Sequence, residues 1–181
     1  MKHRYLLVAG GIDRKGIVYN LTKVLKKYDF NIEDSSMVML RRTFSVIMLL
    51  SRASGVKGGL FDREISGFSE KYSMTMEIKK VAEKEMKEYP GEGRAYMISI
   101  SGADKPGIVN EITGLLYKHG ANIVDLETKS SERVKPHAYY MLLEISLPKS
   151  ANPEKLKAAL IKTGKKLGVH TSMTEADNPI L

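Results

Sequence analysis

The sequence predicts an α+β protein made of two tandem βαββαβ units, each an antiparallel four-stranded sheet with helices on one face. The first reason is a repeated turn: Asp13-Arg14-Lys15-Gly16-Ile17-Val18 returns as Asp104-Lys105-Pro106-Gly107-Ile108-Val109. The second is that, at a constant offset of 91, the chain aligns with itself without a gap from Tyr5/Tyr96 through Asp34/Asp125, about a dozen of some thirty pairs being identical. The third is length, since 181 residues suit two small units of about 80 to 90 residues. The expected division is 1–80 for the first unit, 81–95 for a linker and 96–181 for the second, ending in a short tail from Glu175.

Tyr5-Leu6-Leu7-Val8-Ala9 is almost continuously apolar and reads as a central strand covered on both faces. It ends at Gly10-Gly11. Beyond the turn, Ile17, Val18, Leu21, Val24, Leu25 and Tyr28 recur at helical spacing, with Lys23, Lys26 and Lys27 on the other side. A second strand opens at Asn31-Ile32-Glu33-Asp34 and runs through Leu40, and Arg41-Arg42-Thr43 makes a hairpin into Phe44 to Leu50. Phe61, Ile65, Phe68 and Tyr72 mark the second helix, and Met74-Thr75-Met76-Glu77-Ile78 alternates as the closing strand.

The stretch Ala82 to Arg94 is rich in Lys, Glu and Gly around Pro90 and reads as the linker. The second copy then repeats the plan from Tyr96. Its first helix carries Ile108, Val109, Ile112, Leu115 and Leu116 and stops at Gly120, a residue suited to a left-handed helix end. Phe44-Ser45 aligns with Tyr139-Tyr140, so the offset grows to 95 and about four residues are inserted around Ser130 to His137. Asn152 and Pro153 suit the cap and first turn of the last helix, which carries Leu156, Leu160, Thr163 and Leu167. Val169 to Thr174 is the last strand.

Composition narrows the function. With 43% hydrophobic and 28% charged residues the chain has the balance of a soluble globular protein, and no apolar run approaches a membrane span. Met1-Lys2-His3-Arg4 leads straight into a strand with no secretory leader pattern, so a cytoplasmic address is the expectation. There is no cysteine, which excludes disulfides, thiolate nucleophiles and iron-sulfur clusters. His3, His119, His137 and His170 are scattered, without a nucleophile-base or metal-ligand arrangement. No catalytic residue, metal or cofactor is expected.

The net charge of +8 favours anionic partners. The run Lys155, Lys157, Lys162, Lys165 and Lys166 reads as a solvated helix face, with weak nucleic-acid binding as the alternative. The strands lack the set of exposed aromatics an RNA-recognition module needs.

Chemistry is left to the repeated turn. Glycines at 11, 16, 102 and 107 permit tight backbone geometry and close approach of a ligand. The following helix start presents free N–H groups that attract carboxylates. Asp13 and Asp104 either cap that helix or accept bonds from an ammonium group, and Asn31 and Asn122 supply amides that donate and accept. Together these groups suit both ends of an amino acid. The plainer reading is that Asp caps, Gly turns and Asn stabilises a corner.

Strand, Asp-x-x-Gly-Ile-Val, helix and Asn-Ile-x-Asp in a repeated βαββαβ unit resembles the tandem ACT-domain proteins. Asn31-Ile32-Glu33-Asp34-Ser35 through Phe44-Ser45-Val46-Ile47-Met48-Leu49-Leu50-Ser51 most resembles the glycine cleavage system transcriptional repressors among them. The resemblance implies a ferredoxin-like fold and a regulatory module that binds amino acids between domains, using the first strand-helix loop and the second strand. Gly11, Asp13, Lys15, Gly16, Ile17, Val18, Asn31 and Ile32 would then serve one site, and Gly102, Asp104, Gly107, Ile108, Val109, Asn122 and Ile123 the other.

Lys15 departs from the proline often found in this turn, and it favours a ligand carboxylate. Further implications are a glycine- or serine-like ligand, a partner regulatory protein, and homo-oligomers joined through the sheets. With no helix-turn-helix, direct DNA binding is not expected. The alternative is a constitutive interaction scaffold that binds no ligand.

Overall fold

The computed structural model describes residues 2–55, 59–86, 93–131 and 137–176. The first unit runs β1 (His3–Ile12), α1 (Ile17–Lys27), β2 (Asn31–Leu40), β3 (Thr43–Arg52), α2 (Leu60–Tyr72) and β4 (Met74–Val81). The second runs β5 (Gly93–Ala103), α3 (Ile108–Lys118), β6 (Asn122–Ser131), β7 (Ala138–Pro148), α4 (Pro153–Leu167) and β8 (Val169–Glu175). The sheets have the orders β2-β3-β1-β4 and β6-β7-β5-β8, antiparallel throughout. These are the two βαββαβ units the repeat predicts.

Regular structure enters both ends of the stretch expected to be linker. β4 continues to Val81, a single 3-10 turn follows over Glu83–Met86, and β5 already begins at Gly93. The chain divides into compact units between Lys87 and Glu88. Residues 87–92 of the expected linker, most of the insertion in the β6–β7 hairpin, and the tail beyond 176 lie outside the described residues. Glu175, placed in the tail by sequence, belongs to β8, and the next amide, Ala176 N–H, still donates to Ala95 O at 2.9 Å.

Each core lies between one sheet face and its helices. In the first unit Leu7, Leu21, Leu25 and Leu50 are fully enclosed, and Tyr5, Phe30 and Phe61 form a chain of ring contacts at 5.4 and 5.1 Å. In the second unit Ala121 and Leu156 stand at the aligned places of Phe30 and Phe61, and the core is largely aliphatic: Ile98, Ile100, Ile112, Leu116, Leu143 and Leu160. β1 is not covered on both faces as its apolar run suggested. Tyr5, Leu7 and Ala9 point inward, whereas Leu6 and Val8 are 37% and 39% exposed, because both helices pack on the same face. An apolar open face is therefore a property of this sheet.

The helix ends follow their residues. Asn152 Oδ1 accepts from the backbone N–H groups of Glu154 and Lys155 at 3.0 and 3.1 Å, as a capping asparagine should. Gly120 and Gly168 close α3 and α4 with φ of 71° and 73°. At the aligned positions the first unit has Asp29 and Ser73, held in the same left-handed region at 57° and 50°.

Candidate functional site

The turn between β1 and α1 frames a cavity of about 150 Å³ lined by residues 13–19 together with Met37 and Phe44. Its shape is local in origin. Gly16 adopts φ 88°, which reverses the chain into the helix, and Asp13 N–H donates to Arg42 O at 2.8 Å, fastening the turn to the β2–β3 hairpin. The second copy repeats both features: Gly107 has φ 93°, and Asp104 N–H donates to His137 O at 2.8 Å. Ile17 and Ile108 anchor the helix starts in their cores, while Val18 and Val109 remain exposed.

Neither aspartate caps its helix; Gly16 and Gly107 occupy the cap positions, with no side-chain cap bond. The capping role left open by sequence is thus removed. Asp13 is exposed, and among the described residues no ion pair engages it. Helix geometry leaves the Val18 and Tyr19 N–H groups without an acceptor one turn back. No acidic side chain lies in the first turn of α1, and Lys15 lines the same cavity. Carboxylate, ammonium and free N–H groups therefore meet at one small opening.

The second turn is built differently. Lys105 Nζ donates to Leu167 O at 3.0 Å, securing the turn to the C-terminal end of α4, where the helix dipole favours a cation. Tyr139 stands where the first copy has Phe44; its hydroxyl donates to Met141 Sδ at 3.4 Å. Burial, and then the negative charge of Asp104, raise its pKa above the usual tyrosine value. Tyr139 stays a neutral phenol beside that turn at physiological pH.

Other candidates lie elsewhere. Asn31 pairs with Ser51, and Ser51 pairs with Arg4 near the start of β1, eight residues from Ile12 where the turn begins. At about 3.3 Å per residue this puts Asn31 roughly 26 Å from the turn of its own unit. Ile32 shares that far end. Asn122 and Ile123 repeat the displacement, with Asn122 opposite Ser146 and Ser146 opposite Ala95, again eight residues from Ala103. The cause is simple: α1 and α3 each carry the chain back along the sheet before the next strand begins.

Gly11 and Gly102 have a packing role in this geometry. A Cβ on Gly11 would lie 2.9 Å from Met74 Cβ, and one on Gly102 would lie 2.9 Å from Val169 Cγ1. They let the outer strand close on the central one.

The sequence matches the ACT domain family twice, over residues 3–79 and 95–174, covering both units. The chain belongs to the ACT domain family. It is similar to the glycine cleavage system transcriptional repressor of Escherichia coli, with 26% identity over 160 residues covering 87% of this chain and 82% of that one. A UPF0237 protein of Methanococcus maripaludis is 35% identical over 74 residues, covering 40% of this chain and 78% of its own. The crystal structure of an unknown protein from Galdieria sulphuraria superposes with a TM-score of 0.79 at 26% identity, over 97% of this chain and 99% of that one.

Tyr19, Met37 and Phe44 line the first ACT unit's cavity but were not candidates from sequence. The signal was present in β2. Met37 pairs with Val46 and Met39 with Phe44, so alternation places both methionines on the helical side of the sheet, next to the turn. The edge they occupy is apolar and open, with Val38 and Leu40 at 62% and 69% exposure. All five lysines of α4 are exposed, as expected of a solvated face. Among the described residues no helix is long and apolar enough to cross a membrane, and no cluster of potential metal ligands occurs.

Proposed function

We propose that this tandem ACT protein is a non-enzymatic regulator that responds to a small amino acid and acts by changing its association with a partner regulatory protein. The observation carrying this reading is the uncapped Asp13 carboxylate beside the free helix N–H groups and Lys15. An amino acid needs one anionic partner for its ammonium and a cationic or N–H-rich partner for its carboxylate, and this opening offers both. The small cavity suits a glycine- or serine-like ligand. Likeness to the E. coli repressor supports a role in regulating amino-acid metabolism, with glycine cleavage as the specific target.

Asn31 enters the site from another ACT unit. The open β2 edge joins the corresponding edge of a second copy, antiparallel over its whole length, so that Asn31 at the strand start of one copy lies opposite Leu40, near the turn of the other. A ligand held there shifts assembly by its difference in affinity for the joined and separated forms.

A thermal-shift screen with glycine, serine and the other amino acids tests the proposal, since selective binding to the native state raises the melting temperature by mass action. The expected result is a shift with one or two amino acids that disappears in both Asp13→Ala and Asn31→Ala. No shift with any amino acid would overturn ligand sensing and favour the constitutive scaffold, for which the exposed β2 edge is the supporting observation.

A further inference from the structure

On the helical side of the first unit, α1 and α2 leave a groove of about 680 Å³ that the amino-acid site does not use. Its floor is apolar: Val24, with Phe68 and Tyr72 in ring contact at 4.5 Å between centroids. Lysines rim it from both helices. Lys27 is already neutralised, its Nζ donating to Glu64 Oε2 at 2.6 Å, and the Tyr28 hydroxyl donates to the same oxygen at 2.8 Å. Lys23 on α1 and Lys71 on α2 have no carboxylate partner among the described residues; the Lys71 ammonium lies 5.4 Å from the Tyr72 ring centre.

The fold does not require this chemistry. At the aligned places in the second unit Lys23 becomes Gly114, Phe68 becomes Thr163 and Tyr72 becomes Leu167, while Lys27 and Lys71 return as Lys118 and Lys166, so duplication has kept the helices and part of the charge but neither the Lys23 arm of the groove nor its rings. Gly67 holds the groove open on α2, since a Cβ there would meet nothing within 4 Å, whereas the second unit places Lys162 at that position. The volume falls in the range of about 300–1,000 Å³ typical of small-molecule pockets. Two unneutralised ammonium groups over an aromatic floor select a ligand with an anionic head and a flat apolar body.

We propose that the α1–α2 groove of the first unit binds a small organic anion with a planar apolar body, its anionic group between Lys23 and Lys71 and its body on Phe68 and Tyr72. This site is separate from the amino-acid site and does not depend on it.

The test uses the full chain and 8-anilinonaphthalene-1-sulfonate, which joins a sulfonate to fused rings. Fluorescence titration should show one saturable site per chain, and amide shift mapping should centre on residues 20–27 and 64–72. The double variant Lys23→Glu, Lys71→Glu should weaken binding by at least about tenfold, because two attractions become repulsions. Gly67→Phe should abolish binding by filling the groove, while Gly114→Glu, at the equivalent of Lys23, should leave it unchanged.

Shift mapping on the wild-type protein needs no variant to fold. Shifts centred elsewhere would overturn the proposal, and so would unchanged affinity in a charge-reversed protein with a wild-type melting curve. Deca-glutamate binding the same residues as tightly as the probe would also overturn it, and would assign the groove to an acidic protein segment instead. Failure here is distinguishable from failure of the amino-acid reading, whose shifts belong to Asp13 through Val18.

Discussion

Gly102→Ala separates a glycine that binds ligand from one that lets strands close. The new methyl would stand 2.9 Å from Val169 Cγ1, 3.0 Å from Val169 Cα and 3.1 Å from Gly168 O, where ordinary contacts lie at 3.4–4 Å. Val169 Cγ1 can swing away, but the other two atoms are backbone at the start of β8. Relief therefore requires β8 to move from β5 by several tenths of an ångström along a paired edge. Overpacking of this kind costs about 1–3 kcal/mol.

Gly107→Ala provides the contrast. Its Cβ would meet nothing within 4 Å, so its cost comes only from φ 93°, about 1–2 kcal/mol. Urea unfolding followed by tyrosine fluorescence reads both. With m of about 1–2 kcal/mol/M for a unit of this size, a loss of 2 kcal/mol lowers the midpoint of the second unit by roughly 1–2 M. The amino-acid thermal shift should survive in Gly102→Ala. Unchanged stability in Gly102→Ala, coupled with loss of that shift, would refute the packing explanation and return Gly102 to the ligand site.

Asp29→Gly and Ser73→Gly should each stabilise the first unit by about 0.5–1 kcal/mol, because glycine accepts the left-handed conformation these residues now hold; a lower melting temperature in both variants would show that their side chains compensate. Acid should weaken the sheet end where Lys2 and Arg4 pair with Glu33, the Arg4 Nε to Glu33 Oε2 distance being 2.9 Å. Those partners, Lys2 first, lower the Glu33 pKa from 4.5 to about 2. The folded value lies below the unfolded one, so the contribution is complete above about pH 4.5 and fades as pH falls toward 2. Glu33→Gln should flatten the melting-temperature profile in that window relative to wild type. A profile identical to wild type would remove the assignment.

What could be read from sequence was what repeats or alternates. The offset of 91 disclosed both units, and Asn152-Pro153 disclosed the start of α4, because those signals depend on neighbouring residues alone. The placement of Asn31 was not legible. Its sequence distance from Asp13 is short, but the intervening helix returns the chain to the far end of the sheet, a consequence of topology rather than residue type. The open face of β1 was misread for a related reason. Continuous apolarity shows that a strand prefers cover on both sides, but it does not show that the unit itself supplies both covers. Met37 and Phe44 read from sequence as strand residues and not as part of the site, because only the β2–β3 register sets them beside the turn.

The separation of each turn from its own asparagine has a consequence for counting and dose. In the proposed assembly each self-paired edge joins two turns to two asparagines, so a junction between copies creates two ligand sites at once and a separated copy has none. Ligand and assembly then promote one another by linkage, and apparent affinity rises with protein concentration. Such a chain reads the amino acid and its own abundance as a product: a cell that makes more of it becomes responsive at a lower amino-acid level.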